Sequence, residues 1–148
     1  MAELRTELND DQLRTAWGWI GGESYWAKGM SWPLFERACR NSLCFGMVED
    51  ETLEAFARVV TDQVSFAWLC DVFVSEDARG KGHGKALMDA MTHDPRLQNL
   101  RRWSLATSDA HGLYRQYGFE PANAAAHMER LEPGVYARLA AEAETPAG

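Results

Sequence analysis

Residues 66–93 constrain this chain most. An apolar run, "FAWLCDVFV", passes through the glycine-rich stretch "EDARGKGHGK" into a helical pattern. Gly80, Gly82 and Gly84 fall where that helix begins. Glycine inside a helix costs about 1 kcal/mol relative to alanine. It is tolerated where something approaches the backbone closely or where the turn demands a positive φ. Strand, glycine loop and helix N-terminus in that order also build an anion site, because successive amides converge and the helix dipole favours negative charge. Arg79, Lys81 and Lys85 add positive charge that suits a diphosphate. A glycine turn with solvated lysines is the plain alternative.

Two phosphate motifs are excluded by their spacing. A P-loop needs GxxxxGK[ST], but Arg79 stands in place of its first glycine and Ala86 in place of the metal-binding hydroxyl. A dinucleotide fingerprint starting at Gly80 meets Lys85 where its last glycine belongs. What remains is Arg79-x-x-Gly82-x-Gly84 between a strand and a helix.

The chain has 148 residues, one domain (1–148) by size, with 46% hydrophobic and 25% charged residues, a globular balance. A net charge of −7 argues against a nucleic-acid partner. No apolar stretch has the length of a membrane span, and "MAELRTELNDD" does not resemble a signal peptide, so a cytoplasmic protein without a membrane partner is expected. Cys39, Cys44 and Cys70 lack CxxC spacing and read as small core residues in a reducing compartment. No histidine spacing calls for a metal, and none is assigned.

Periodicity and capping give the order β-α-α-β-β-β-α-β-α-β, a mixed α/β domain. "NDDQLRTAWGWIGG" is a capped helix ending at Gly21-Gly22. "GMSWPLFERACRNS" is a second helix, with Ser31 as N-cap and Pro33 in its first turn. "LCFGMVE" and "TLEAFARVVTD" flank the turn Asp50-Glu51, and "VSFAWLCDVFV" follows. After the helix "GHGKALMDAMTH" come a strand "RRWSLAT", a short helix "SDAHGLYRQYG" capped by Ser108 or Asp109, and a last strand "AAHMERL". Residues 139–148 read as a frayed tail.

The segment Asp71-Val72-Phe73-Val74 followed by Arg79 to Gly84 resembles the GNAT superfamily of N-acetyltransferases, whose signature is a strand and then Q/R-x-x-G-x-G/A opening a helix. A second family element stands downstream as Ala110-x-x-Leu113-Tyr114-x-x-x-Gly118-Phe119. Together they cover residues 64–120. Many members have Asn where this chain has Thr107. The resemblance implies the GNAT fold, a central, mostly antiparallel sheet flanked by helices. It also implies acetyl-CoA as cosubstrate, with its diphosphate on the amides of Arg79, Gly80, Lys81, Gly82, His83, Gly84 and Lys85. Its pantetheine arm would run beside Val72, Phe73 and Val74 like an added strand. One N–H near Val72 would face the thioester carbonyl. A homodimer is compatible with the family, though no interface is legible.

Acetylating an amine requires removal of a proton whose pKa is about 10.4, at a cost of about 4–5 kcal/mol at pH 7. Asp71 interrupts an apolar strand beside the expected carbonyl site and is one candidate base; a structural role for it is equally compatible with the sequence. Cys70 precedes it, where the diamine-acetylating members that this stretch resembles carry Glu. Tyr114 occupies the family's tyrosine position and is the candidate donor to the departing thiolate, against a plain core role. Six aromatics lie between Trp17 and Phe35. Of these, Tyr25 and Trp26 are candidates for an aromatic wall around the acceptor, and Glu23, Asp62 and Asp71 would suit a cation. The expected activity is transfer of acetyl from acetyl-CoA to a small-molecule amine by direct attack in a ternary complex. The competing readings are a protein or peptide N-acetyltransferase and a non-catalytic acyl-CoA sensor.

Overall fold

The structure, a computed structural model, describes residues 1–144. Strands β1 (Glu3–Arg5), β2 (Leu43–Glu49), β3 (Thr52–Thr61), β4 (Phe66–Val74) and β5 (Arg102–Ser104) form one sheet in sequential order. The first three pairings are antiparallel and the β4–β5 pairing is parallel. The β2–β3 turn is two residues long, with φ of 49° at Asp50 and 63° at Glu51. Positive φ at both positions matches the right-handed twist of the strands that the turn joins.

Helices α1 (Asp10–Gly22) and α2 (Trp32–Arg40) cover one face of the sheet, and α3 (His83–His93) covers the other. Asn9 starts α1 through a capping box: its side chain accepts from the Gln12 amide at 2.9 Å and the Gln12 side chain accepts from the Asn9 amide at 3.0 Å. Gln12 also donates to the Glu51 carbonyl at 3.1 Å, which docks the helix onto the β2–β3 turn. Ala16, Ile20 and Phe35 pack against Val48, Leu53 and Phe56 on this face. Leu87, Met88 and Met91 pack against Phe45, Ala57, Val59 and Leu69 on the opposite face. Burying each such side chain contributes about 1.5–3 kcal/mol, so α3 is held by its apolar stripe despite a glycine-rich start.

The sequence expectations need three corrections. Residues 125–131 form no strand: Asn123 turns the chain, its carbonyl accepting from the Ala126 and His127 amides, and the segment lies exposed. Residues 139–144 are not a tail but the end of helix α5 (Val135–Glu144), while 145–148 lie outside the described residues. Val135, Tyr136, Leu139 and Ala140 are half-buried along one stripe of α5, and Tyr136 joins the core cluster under α1 and α2. The helix expected over 108–118 contracts to α4 (His111–Arg115) with Ala110 as its N-cap residue. Thr107 Oγ1, rather than Ser108 or Asp109, accepts from the Ala110 amide at 3.1 Å.

Candidate active site

The site is organised by the way β4 leaves the sheet. β4 and β5 pair only over Phe66–Trp68 and Arg102–Ser104. Beyond that point the β5 side of Cys70–Val74 carries no strand among the described residues, and alternate backbone groups there are open to an extended partner. On the β3 side, Asp71 and Val72 together oppose Ala57, because Phe56 pairs with Phe73 and Arg58 with Cys70. This is a β-bulge, and Asp71 takes a φ of 55° in it. Bulges re-aim side chains, and this one turns Asp71 inward, where it is 6% exposed.

Asp71 meets two partners there. Its Oδ2 accepts from Arg58 Nε at 2.8 Å and its Oδ1 from Trp26 Nε1 at 2.9 Å. Arg58 also donates to Ser42 Oγ at 2.9 Å. Burial alone would lower the Arg58 pKa, but the charge and hydrogen bond of Asp71 help to raise it overall, so the guanidinium remains charged. The sequence reading passed over Arg58, although a charged residue inside the apolar run "AFARVV" was a signal for a buried pair. Cys70 is pushed up to about 12, chiefly by burial, and is a protonated, poor nucleophile at neutral pH.

The linker between α1 and α2 closes over this strand end. Trp26 is fixed by Asp71, and the Tyr25 hydroxyl lies 3.3 Å from Ser108 Oγ in the loop after β5. The two rings stand edge to face at 5.0 Å. Tyr25 and Trp26 therefore stand together at the strand end, with Trp26 bonded to Asp71. Asp62 is not part of this group: its carboxylate accepts from the amides of Val64, Ser65 and Phe66 and from the Ser65 hydroxyl, holding the β3–β4 turn. Those bonds, the Ser65 hydroxyl first, keep its pKa well below the usual aspartate range.

The glycine loop begins at the end of β4. Gly80 and Gly82 have φ of 84° and 83°, and a Cβ at either would meet nothing within 4 Å. A Cβ on Gly84 would make only an ordinary 3.5 Å contact with Leu113. The protein's own packing therefore explains two of these glycines by conformation and leaves the third to whatever approaches from outside. The first hydrogen bond of α3 runs from the Ala86 amide to the Gly82 carbonyl, and the amides of Gly80 to Lys85 find no acceptor among the described residues. Arg79 Nε donates to the Val74 carbonyl at 3.3 Å, while Lys81 and Lys85 are exposed. This is a cradle of free N–H groups with basic side chains around it, and it fits a diphosphate. Among the described residues no cluster of His, Cys, Asp and Glu could hold a metal ion, and no helix is long and apolar enough to cross a membrane.

Tyr114, on α4, packs its ring edge-on against Phe119 at 6.0 Å and is 8% exposed. Its hydroxyl has no hydrogen-bond partner among the described residues, and the residue lines a cavity of roughly 480 Å³ together with Trp68, Thr107 and His111. Burial first, then the charge of Asp109, raises its pKa and keeps the phenol protonated and able to donate.

With this geometry in view, residues 40–121 match the acetyltransferase (GNAT) domain family. The chain belongs to the GNAT acetyltransferase family. An uncharacterized N-acetyltransferase of Bacillus subtilis, YhdJ, is 30% identical over 119 residues, spanning 77% of this chain and 75% of that protein. A crystal structure of a GNAT-family protein from Xanthomonas campestris superposes with a TM-score of 0.87 at 46% identity, covering 92% of this chain and 96% of its own. A Clostridium acetobutylicum acetyltransferase solved with acetyl-CoA shares the fold, with a TM-score of 0.63 at 13% identity. The GNAT assignment makes this chain an acyltransferase of a family that uses acetyl-CoA.

Proposed function

We propose that this GNAT protein transfers the acetyl group of acetyl-CoA to the amine of a small molecule, by direct attack while both are bound. The observation that supports it most is the run of unpartnered amides from Gly80 to Lys85 at the foot of a β4 edge that β5 has left free. In this reading Arg79 to Lys85 hold the diphosphate, and Val72, Phe73 and Val74 take the pantetheine arm as an added strand. Acetyl-CoA supplies the activated acyl group. A backbone N–H near Val72 steadies the carbonyl oxygen, and the Tyr114 hydroxyl donates to the sulfur as it leaves. The burial-raised thiol of Cys70 argues against an acyl-cysteine and favours direct transfer.

The Asp71 pair with Arg58 and Trp26 gives this carboxylate a positioning role: it holds the aromatic roof over the strand end and turns its lone pairs away from an incoming amine. Deprotonation of the amine then falls to water or to the acceptor's own equilibrium. The small-molecule reading is supported by Tyr25 and Trp26, which are tied to Ser108 and Asp71 and offer exposed aromatic faces to an acceptor at the strand end. The test is calorimetry with acetyl-CoA followed by a thiol-release assay across small amines and lysine peptides. Acetyl-CoA uptake with turnover on small amines is expected. Turnover on peptides alone overturns the acceptor assignment, and uptake with no turnover on any amine leaves an acyl-CoA sensor.

A further inference from the structure

Beneath the glycine loop lies a buried polar pair that the mechanism above does not use. Glu54, near the start of β3, places Oε2 at 2.6 Å from His83 Nε2 and Oε1 at 3.9 Å from Lys81 Nζ. Its own carbonyl accepts from the Ser75 amide at 2.9 Å. One residue of the sheet thus grips the loop where it leaves β4 and again where it enters α3. The side chains of His83 and Glu54 are 8% and 15% exposed.

A carboxylate is an odd choice for this place. Its charge opposes an anion bound to the amides just above it, so electrostatics alone would remove it. What it supplies is direction. The loop has two glycines with positive φ in open space and a run of amides without acceptors, so little within it restricts its backbone. His83 is the first residue of α3, and the orientation of its imidazole is coupled to the direction of the amides of His83, Gly84 and Lys85. A buried, charge-assisted hydrogen bond to a rigid central strand is directional in a way that apolar packing is not.

We propose that Glu54 is a positioning residue for acetyl-CoA binding: through His83 it holds the glycine-loop amides in the orientation that receives the diphosphate. This rests on the loop assignment made under the proposed function. Removing the strut weakens the coenzyme complex and leaves the chemical step alone.

Glu54→Ala is expected to raise both the Kd and the KM for acetyl-CoA about tenfold, the size of one lost charge-assisted hydrogen bond, with kcat within about twofold of wild type. Glu54→Gln keeps an oxygen for the imidazole N–H and is expected to restore most of that affinity. His83→Ala is expected to raise the Kd for acetyl-CoA by the same factor as Glu54→Ala, and the double variant to bind no more weakly than either alone, since the two act as one unit. Wild-type affinity in a folded Glu54→Ala protein, or independent losses that add in the double variant, overturns the inference. Should Glu54→Ala not fold, wild-type affinity in His83→Ala overturns it equally. Wild-type protein that takes up no acetyl-CoA overturns the loop assignment and this inference with it.

Discussion

The indole N–H of Trp26 meets the carboxylate of Asp71 at 2.9 Å, joining a half-exposed aromatic of the α1–α2 linker to the bulge of β4. Arg58 holds the other oxygen of the same carboxylate at 2.8 Å. Roof, strand end and neighbouring strand therefore meet on one acid.

Asp71→Asn keeps the shape of the side chain and removes the charge opposite a buried guanidinium. The expected loss of stability is about 3–5 kcal/mol, because Arg58 is left buried without its ion partner. With Asp71 as a positioning group, kcat falls through a loosened Trp26 while the acidic limb of the pH–rate profile survives. A flattened acidic limb in an otherwise stable protein would return Asp71 to the role of base.

Tyr114→Phe removes a hydroxyl with no hydrogen-bond partner among the described residues, so thermal stability is expected to change by less than about 0.5 kcal/mol. Acetyl-CoA affinity is likewise expected to hold, while kcat drops about 100-fold, the lower end of what a positioned proton donor contributes. Normal turnover in this variant excludes the hydroxyl from the reaction.

Two glycine variants separate backbone conformation from ligand approach. Gly82→Ala forces a left-handed conformation on an L-residue and is expected to cost about 1–2 kcal/mol of stability. Gly84→Ala meets only an ordinary contact with Leu113 and gains about 0.5–1 kcal/mol of helix propensity. A protein as stable as wild type or more so that binds acetyl-CoA at least tenfold less tightly is the expected result for Gly84→Ala. Unchanged binding would mean that the coenzyme does not come close at that position.

Stability is expected to fall in acid. The Asp94 carboxyl, held by Arg96 at 2.8 Å, and that of Asp62, held by the Ser65 hydroxyl and neighbouring amides, both have folded pKa values below the ordinary aspartate value. A depressed folded pKa gives stability that is complete above the unfolded value, about 3.9, and is lost as pH falls through the folded one. Melting temperatures followed from pH 6 to pH 2 should decline most steeply below about pH 4. Asp94→Asn should make that decline shallower, and an unchanged slope would remove Asp94 from the account.

Much of the local architecture was legible in the chain. The capped start of α1, the Asp50-Glu51 turn, the apolar run of β4 and the glycine signature each rest on residues within a few positions of one another. The strand expected at 125–131 failed because a strand takes its stability from a partner, and the Asn123 turn leaves that segment unpaired. Helix α5 was missed because its apolar stripe is limited to Val135, Tyr136, Leu139 and Ala140, and only the core cluster under α1 and α2 gives Tyr136 somewhere to go.

The sequence by itself determined where the chain bends, the elements from α1 to β5, and that a glycine-rich turn opens α3. These follow from dihedral preferences and short-range periodicity. Only the tertiary structure decided that Asp71 faces Arg58 and Trp26, and that Glu54 reaches His83 from another strand. Those pairs depend on strand register, and at Asp71 also on a one-residue bulge. A slip of one position would turn each side chain to the opposite face of the sheet.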